Sequence, residues 1–519
     1  FVFILVFVTV WYIILIVLLL IYNVNMKFLQ NCCACFPQRY FLCIFIVLGM
    51  VACYLMRGSL ILALNEMTFR INKTVNSTEK HQFCPMEETG KGKKEQEQTR
   101  AEFHWDQRMQ HDIIKSLYIG YILAHLPAGI IADIIGGKQV FGGGILVSAL
   151  VSLGTPPLAR LSPYAVMGGR IIQGFGQGCM FPSTSALVAK WAPPNERSTM
   201  TGIVQTGVMF GNAISYATSG FILGAFPTWE PIFYTVGIIA LIWCLGWYPL
   251  CYSAPAHHPF VTEKERTMIE TQIRANMKQK PKSIPWKSIL TSLPFISAIM
   301  INFAHAWALF TMVNEMPNYM GKVLNFSIQK SGVFAALPHI AMIPTSIGSG
   351  YLSDWILRKN LMSITLNRKI FSFAANTLPV PFMLMASFAG CNRTMVVIYF
   401  MIMMFFKGII YSACRVQPVD LSPNFAGVLM GIMNGIGSFA GLLSPVITPF
   451  FLRTGDGSIE EWRNVFYVAA VIMTLFSIPF LFFGSGEVQP WNNAEMDTEP
   501  GPAPESTDAG KPDEETKPT

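Results

Sequence analysis

Side chains that carry positive charge or an imidazole lie within long apolar stretches of this chain, among them Arg57, His125, Arg170, His305, Lys407 and Arg415. An ionised group in hydrocarbon is costly, so residues of this kind face a cavity or a partner and mark the path of a solute. Arginine presents a planar fork that pairs with a carboxylate or phosphate through two parallel hydrogen bonds. Arg57 and Arg170 are therefore read as an anion site, with Tyr121, His125 and His305 as neighbours. Plainer readings stand beside these: structural pairing for Arg57, snorkelling to the surface for Arg170 near a helix start, and hydrogen-bonded packing for the histidines. The stretch from Arg170 to Ser198, RIIQGFGQGCMFPSTSALVAKWAPPNERS, is as informative for what it lacks. Gln173 and Gln177 stand one turn apart where a carboxylate would carry a transferable proton. Glu66 and Glu315, the nearest candidate proton carriers, sit toward the outer ends of their helices.

A chain of 519 residues with 52% hydrophobic and only 13% charged residues is a membrane protein by composition. Twelve apolar runs between residues 39 and 484 are each long enough to cross about 30 Å of hydrocarbon as a helix. The expected architecture is all-α, with a six-helix bundle over 37–252, a linker over 253–288 and a second six-helix bundle over 289–484. The hydrophobic extension 1–36 reads either as non-native before Met26 or as a thirteenth helix, and the acidic tail 485–519 reads as disordered. The linker holds seven Lys or Arg against three Glu, which puts it and both ends of the main body in the cytoplasm. The loop 70–108 is balanced in charge and holds the acceptor triplets at Asn72 and Asn76, which require an external or luminal face. Eleven cysteines without ligand spacing imply neither a metal nor a disulfide framework; Cys32, Cys33 and Cys35 are candidates for acylation. No motif supports nucleic-acid binding, and no nucleophile–base set supports an enzyme.

Each half carries an acidic-then-basic turn after its second run: Asp133 with Lys138, and Asp354 with Arg358. These charges are expected to lock onto neighbouring helix ends in one conformation. Their repetition argues for a duplicated transporter whose halves rock about a midplane cavity. Gln173, Gln177, Arg415 and Asp420 join the turn residues as candidates for coupling or gating, Asp420 as an inner-face salt bridge. Pro182 is expected to bend the fourth helix, and Lys407 and Arg415 to share the tenth.

Longer motifs carry a resemblance. They are CFPQRY at 35–40, YLMRGSLILAL at 54–64, FHWD at 103–106, GYILAHLPAGIIADIIGGK at 120–138, KWAPPNERS at 190–198, NEMPNYM at 314–320, FAALPHIAM at 334–342, RKIFS at 368–372, and EEWRNVFYVAA running through to GSGEVQPW. In this order they resemble the sodium/anion cotransporter (solute carrier 17) family of the major facilitator superfamily. That family includes sialin, the vesicular glutamate transporters and the sodium–phosphate or urate transporters. The resemblance implies a twelve-helix fold and alternating-access transport of a small anionic solute by a monomer in the bilayer. No cofactor is implied, and sodium, a proton, chloride or membrane potential is left open as the driver. Arg57 and Arg170 match the family's first- and fourth-helix arginines. Gly58 replaces the usual asparagine, and the amides at 173 and 177 are closer to the phosphate and urate branch than to sialin. His305 stands where the glutamate-vesicle branch has an arginine, Gln417-Pro418-Val419-Asp420 replaces an Asn-His-x-Asp pattern, and Arg415 is an added charge. A plasma, lysosomal or vesicular membrane fits equally. The rival readings are a voltage-driven anion exchanger or chloride pathway, and a transport-dead receptor or scaffold.

Overall fold

Backbone groups in hydrocarbon have no water to bond, so a spanning chain satisfies them within helices. The computed structural model describes residues 37–68, 102–274, 283–324, 328–451 and 458–493, and their long elements are all helices. The extension 1–36 with its cysteines, Asn72, Asn76 and the tail beyond 493 lie outside the described residues.

The first six spans are Gln38–Met67, Gln107–Ile135, Gly137–Leu161, Pro163–Gly178 continued by Met180–Trp191, Arg197–Ala225 and Pro231–Leu250. The second six are Leu293–Asn318, Ile328–Arg358, Ile364–Thr377 continued by Pro379–Phe388, Arg393–Lys407 continued to Leu421, Ala426–Phe451, and Ile459–Leu475 continued by Ile478–Phe483. Nine of the described segments combine spanning length with high hydropathy. The remaining three, spans four, five and eight, hold much of the chain's glycine, serine and threonine.

Packing repeats between the halves. Span one packs on five and two on four, while seven packs on eleven and eight on ten. Across the halves, five packs on eight and two on eleven. Small residues allow these cross-half approaches. A Cβ at Gly129 would stand 2.3 Å from the Gly427 carbonyl oxygen, and one at Gly202 would stand 2.4 Å from that of Ser346. Neither gap accepts a side chain without separating the backbones.

Spans four, nine, ten and twelve are interrupted helices, and the breaks in four and ten bear on the candidate residues. Pro182 has no N–H to offer the Gly178 carbonyl, so the fourth span breaks at Cys179, a turn before the proline that was expected to bend it. The tenth span was expected as one helix over 394–417. It is instead an α-helix to Lys407, a 3₁₀ turn over Gly408–Ser412, an irregular link and a short helix Gln417–Leu421. Pro418 cannot donate to the Cys414 carbonyl, and the Thr345 hydroxyl of span eight takes the Phe405 carbonyl. Lys407 and Arg415 therefore project from different local structures.

The linker helix Glu263–Arg274 docks on the N-terminal half. Glu265 accepts from the Gln38 and Arg39 amides and from the Arg39 guanidinium at 2.8 Å, while Glu196 accepts from Arg39 Nε at 2.7 Å. Nearby, burial pushes the His258 imidazole, set edge-on to Trp191 and Tyr252, down to about 4, so it is neutral near pH 7. The face carrying this linker and the turns after spans two, four, eight and ten is called the linker face.

Ser198 Oγ and Ser353 Oγ stand 3.4 Å apart across the halves on the linker face. Cysteines at these two positions are expected to cross-link readily, and adding Gly202→Leu is expected to suppress the cross-link by at least about tenfold. Unchanged cross-linking, read by gel mobility, would show that this approach does not depend on the glycine.

Candidate functional site

At the linker face carboxylates join the halves. Asp133, at the end of span two, accepts from the amides of Gly427 and Val428 at 3.1 and 2.9 Å, where span eleven begins. Asp354, at the end of span eight, accepts from the amides of Ser198 and Thr199 at 3.3 and 2.7 Å, where span five begins. Each acid thus caps the opposite half's helix start, where unsatisfied amides and the positive end of the helix dipole favour an anion. The basic partners do not cross. Lys138 lies over Tyr252 at 4.1 Å, and Arg358 bonds the Asp354 carbonyl and lies over Tyr351. Asp420 forms salt bridges at the linker face, with Arg197 of the N-terminal half at 3.3 Å and Arg368 of the C-terminal half at 2.8 Å. Arg368, 1% exposed, also bonds Ser198, Ser353 and the Ser412 carbonyl. Arg197 and Arg368 were not singled out from the sequence, although both lie inside the matched motifs KWAPPNERS and RKIFS. The segment after span twelve straps this closure: Asn492 Oδ1 accepts from Ser422 Oγ and the Asn424 amide.

At mid-span the cations are held by amides. Arg57 Nε donates to Gln177 Oε1 at 2.9 Å, and its guanidinium lies over the rings of Tyr54 at 4.8 Å and Tyr121 at 4.5 Å. Gln177 is fixed in turn by the Cys53 carbonyl. Arg170 Nη1 donates to Gln173 Oε1 at 2.6 Å and is 5% exposed, so it does not snorkel outward. The two glutamines, one helical turn apart, thus hold one arginine each and hold them as neighbours, with roughly 5–6 Å between their own Cβ atoms. Among the described residues neither arginine meets a carboxylate, and Arg57 is partly exposed. Gly58 fits its place because a Cβ there would stand 2.2 Å from Ser215 Oγ on span five.

His125 is fully occupied. Its Nδ1 meets the Tyr121 carbonyl at 2.5 Å and its Nε2 meets Asn434 Nδ2 of span eleven at 2.7 Å. It bridges the halves and has no donor left over. His305, by contrast, is fully buried with neither ring nitrogen hydrogen-bonded, and sits edge-on to Tyr411 at 5.6 Å. Lys407 bonds Asn376, which also bonds the Ile301 carbonyl and Ser477, so its contacts stay within the C-terminal half. No cluster suited to a metal ion occurs among the described residues. Cys391, in the turn before span ten, is disulfide-bonded, which corrects the expectation of no disulfide.

The sequence pattern of the Major Facilitator Superfamily matches residues 46–375 and 365–512. The chain belongs to that superfamily. It is similar to sialin of Homo sapiens, 34% identical over 88% of this chain and 91% of that one. It is also similar to a putative inorganic phosphate cotransporter of Drosophila melanogaster, 32% identical over 91% and 89% of the two chains. A third relative is vesicular glutamate transporter 2 of Homo sapiens, 32% identical over 90% and 78%. In fold it resembles the proton:xylose symporter XylE, with a TM-score of 0.63 at 12% identity over 87% of this chain and 97% of that one. The protein is a multi-pass membrane transporter with the twelve-helix fold of two six-helix bundles.

Removing both cross-half caps with Asp133→Ala and Asp354→Ala is expected to shift the equilibrium away from linker-face closure. Each cap contributes about 1–2 kcal/mol, a factor of roughly 5–30 in the ratio of states. Spectroscopic distances between labels at Lys138 and Lys359 should lengthen in the double variant. An unaltered distance distribution would exclude this role for the caps.

Proposed function

We propose that this transporter moves small organic or inorganic anions by alternating access, with Arg57 and Arg170 as the anion site. One observation carries the reading: two neighbouring guanidiniums deep in the membrane are held by glutamines. A buried cation left without a counterion is costly, and an amide orients it without neutralising it. The missing charge is supplied by the solute, which arrives as the counterion. A glutamate at 173 or 177 would satisfy the arginine itself and compete with cargo.

The geometry supports a simple cycle. With the linker face closed, an anion enters from the opposite face and replaces water around Arg57 and Arg170. Its charge relieves the repulsion between the two guanidiniums and draws the walls together. Reopening requires Asp133 and Asp354 to leave the helix starts of spans eleven and five, and Asp420 to part from Arg197. The acids and the helix starts then regain water, so the exchange is close to balanced and the solute's binding energy is enough to bias it.

The solute class is phosphate, urate, sialate or an acidic amino acid, in keeping with the names of the relatives. With amides at 173 and 177, span four has no carboxylate or imidazole to pass a proton, which favours sodium or membrane potential as the driver. The basic linker supports a cytoplasmic linker face, with both ends of the main body on that side. The disulfide at Cys391 on the opposite face is in keeping with an oxidising exterior or lumen. The membrane is the plasma membrane or that of a lysosome or vesicle, and the working unit is a monomer with no catalytic chemistry of its own.

The test is uptake by the purified full chain in proteoliposomes, offering sialate, glutamate, aspartate, urate and phosphate while pH, sodium and voltage vary separately. Saturable uptake of at least one anion is expected, nearly abolished by Arg57→Ala and reduced roughly tenfold by Arg57→Lys through loss of the fork. Undiminished uptake by the alanine variant would sink the assignment.

Gln177→Glu places a carboxylate against Arg57 and is expected to raise the KM for the anion by at least about tenfold near pH 7. Protonating that carboxylate frees the arginine, so the defect should shrink as pH falls. Pairing with Arg57 favours the charged carboxylate, so recovery belongs at acidic pH. A KM equal to the parent's across the pH range would contradict competition for Arg57.

A further inference from the structure

The arginines of this protein divide by the partner that holds them. Those that close the linker face, Arg197 and Arg368, are paired with the carboxylate of Asp420. Three others are held by neutral amides: Arg57 by Gln177 and Arg170 by Gln173 at mid-span, and Arg415, toward the linker-face end of span ten, by Asn434 at 2.5 Å. Arg415 therefore belongs by its chemistry with the anion site, although it comes from the other half of the molecule. The break in span ten explains how it gets there. After the 3₁₀ turn Gly408–Ser412 the chain swings Arg415 against the N-terminal half, with its guanidinium 5.1 Å from the ring centre of Phe181 on span four.

Arg415 is 5% exposed, its Nε makes no hydrogen bond, and no carboxylate reaches it among the described residues. A line of contacts joins it to the first arginine across the interface. Arg415 bonds Asn434, Asn434 bonds His125 at 2.7 Å, His125 bonds the Tyr121 carbonyl, and the Tyr121 ring carries Arg57. Beside it Tyr411, four residues earlier, packs against His305, whose two ring nitrogens are also without hydrogen bonds in a fully buried setting. Buried donors of this kind are normally satisfied, so unsatisfied ones grouped around an unneutralised cation point to a ligand.

We propose that Arg415 contacts the solute directly and takes its second anionic group, the first being held by Arg57 and Arg170. The selected solute is then a small dicarboxylate that bridges the two halves. This rests on the anion-site reading above and adds a charge requirement to it. A dianion draws both halves inward at once, because each half contributes a cation that only the solute neutralises. A monoanion satisfies one half and leaves Arg415 buried and unpaired, which is the more costly state. Specificity then arises from the penalty on the wrong solute as much as from the attraction of the right one.

The test uses the full chain in proteoliposomes and follows uptake of whichever offered anion it transports. Succinate and its monoamide succinamate serve as competitors of nearly equal size and different charge. The parent protein is expected to prefer succinate. Arg415→Gln should weaken inhibition by succinate roughly 10- to 100-fold, the worth of a hydrogen-bonded charge, and leave that by succinamate within about twofold. Arg57→Lys, which retains measurable uptake, should weaken both. Asn434→Ala, which unmoors Arg415 without removing its charge, should lower the succinate preference in the same direction and serves if Arg415→Gln does not fold. A parent without preference for succinate, or variants at 415 and 434 that shift both competitors equally or neither, would overturn the proposal and leave the anion site standing. Absence of any anion uptake by the parent protein would instead remove the anion-site reading itself.

Discussion

A positive charge in the low-dielectric interior of a membrane protein must be answered, and how it is answered organises this molecule. Where the partner is a carboxylate, the charge is satisfied internally and the pair becomes a joint. Where the partner is an amide, the charge is held in place and remains unsatisfied. The carboxylates gather at the linker face, with Asp133, Asp354 and Asp420 each joining one half to the other. Amides hold other arginines, with Gln173, Gln177 and Asn434 each orienting one. On the proposed reading, closure and binding are thereby separated by the chemistry of the counterion.

That separation depends on backbone devices that are not themselves chemical. The cross-half caps work because spans two and eleven, and five and eight, approach at glycine, close enough that a Cβ at Gly129 or Gly202 would collide with a carbonyl. The caps follow the same two-fold logic as the packing: the acid that ends the second helix of either half meets the start of the fifth helix of the other. Interruptions do the remaining work. Pro182 and Pro418 each remove a donor, and spans four and ten are interrupted near them. In span ten the break sends Lys407 into a polar cluster within its own half and Arg415 toward the other.

Much of this was legible in the chain. Twelve apolar runs, a basic linker and a repeated acidic turn lead to two six-helix halves, because hydrocarbon leaves a polar backbone little alternative to helices. Arg57 and Arg170 stand out for the same reason: charge is so costly in that setting that its presence is itself a signal. The roles of Gln173 and Gln177 were harder to read. As residues they indicate a missing proton carrier; only side-chain geometry shows them gripping the two arginines. The basic members of the acidic turns, Lys138 and Arg358, were expected to lock onto neighbouring helices and instead lie over tyrosines of their own half.

What the sequence determined by itself is everything that follows from local residue type: which segments span, where the helices lose a donor, and which side chains are too charged to be there without a purpose. What only the tertiary structure decided is which partner each charge meets. His125 and Asn434 are 309 positions apart, and Asp133 and Val428 are separated by 295. No local rule relates such positions, since hydrogen bonds and ion pairs act over a few ångströms of space and not over intervals of chain. Whether an arginine became a joint or stayed without a counterion was decided there, by whether folding delivered a carboxylate or an amide to it.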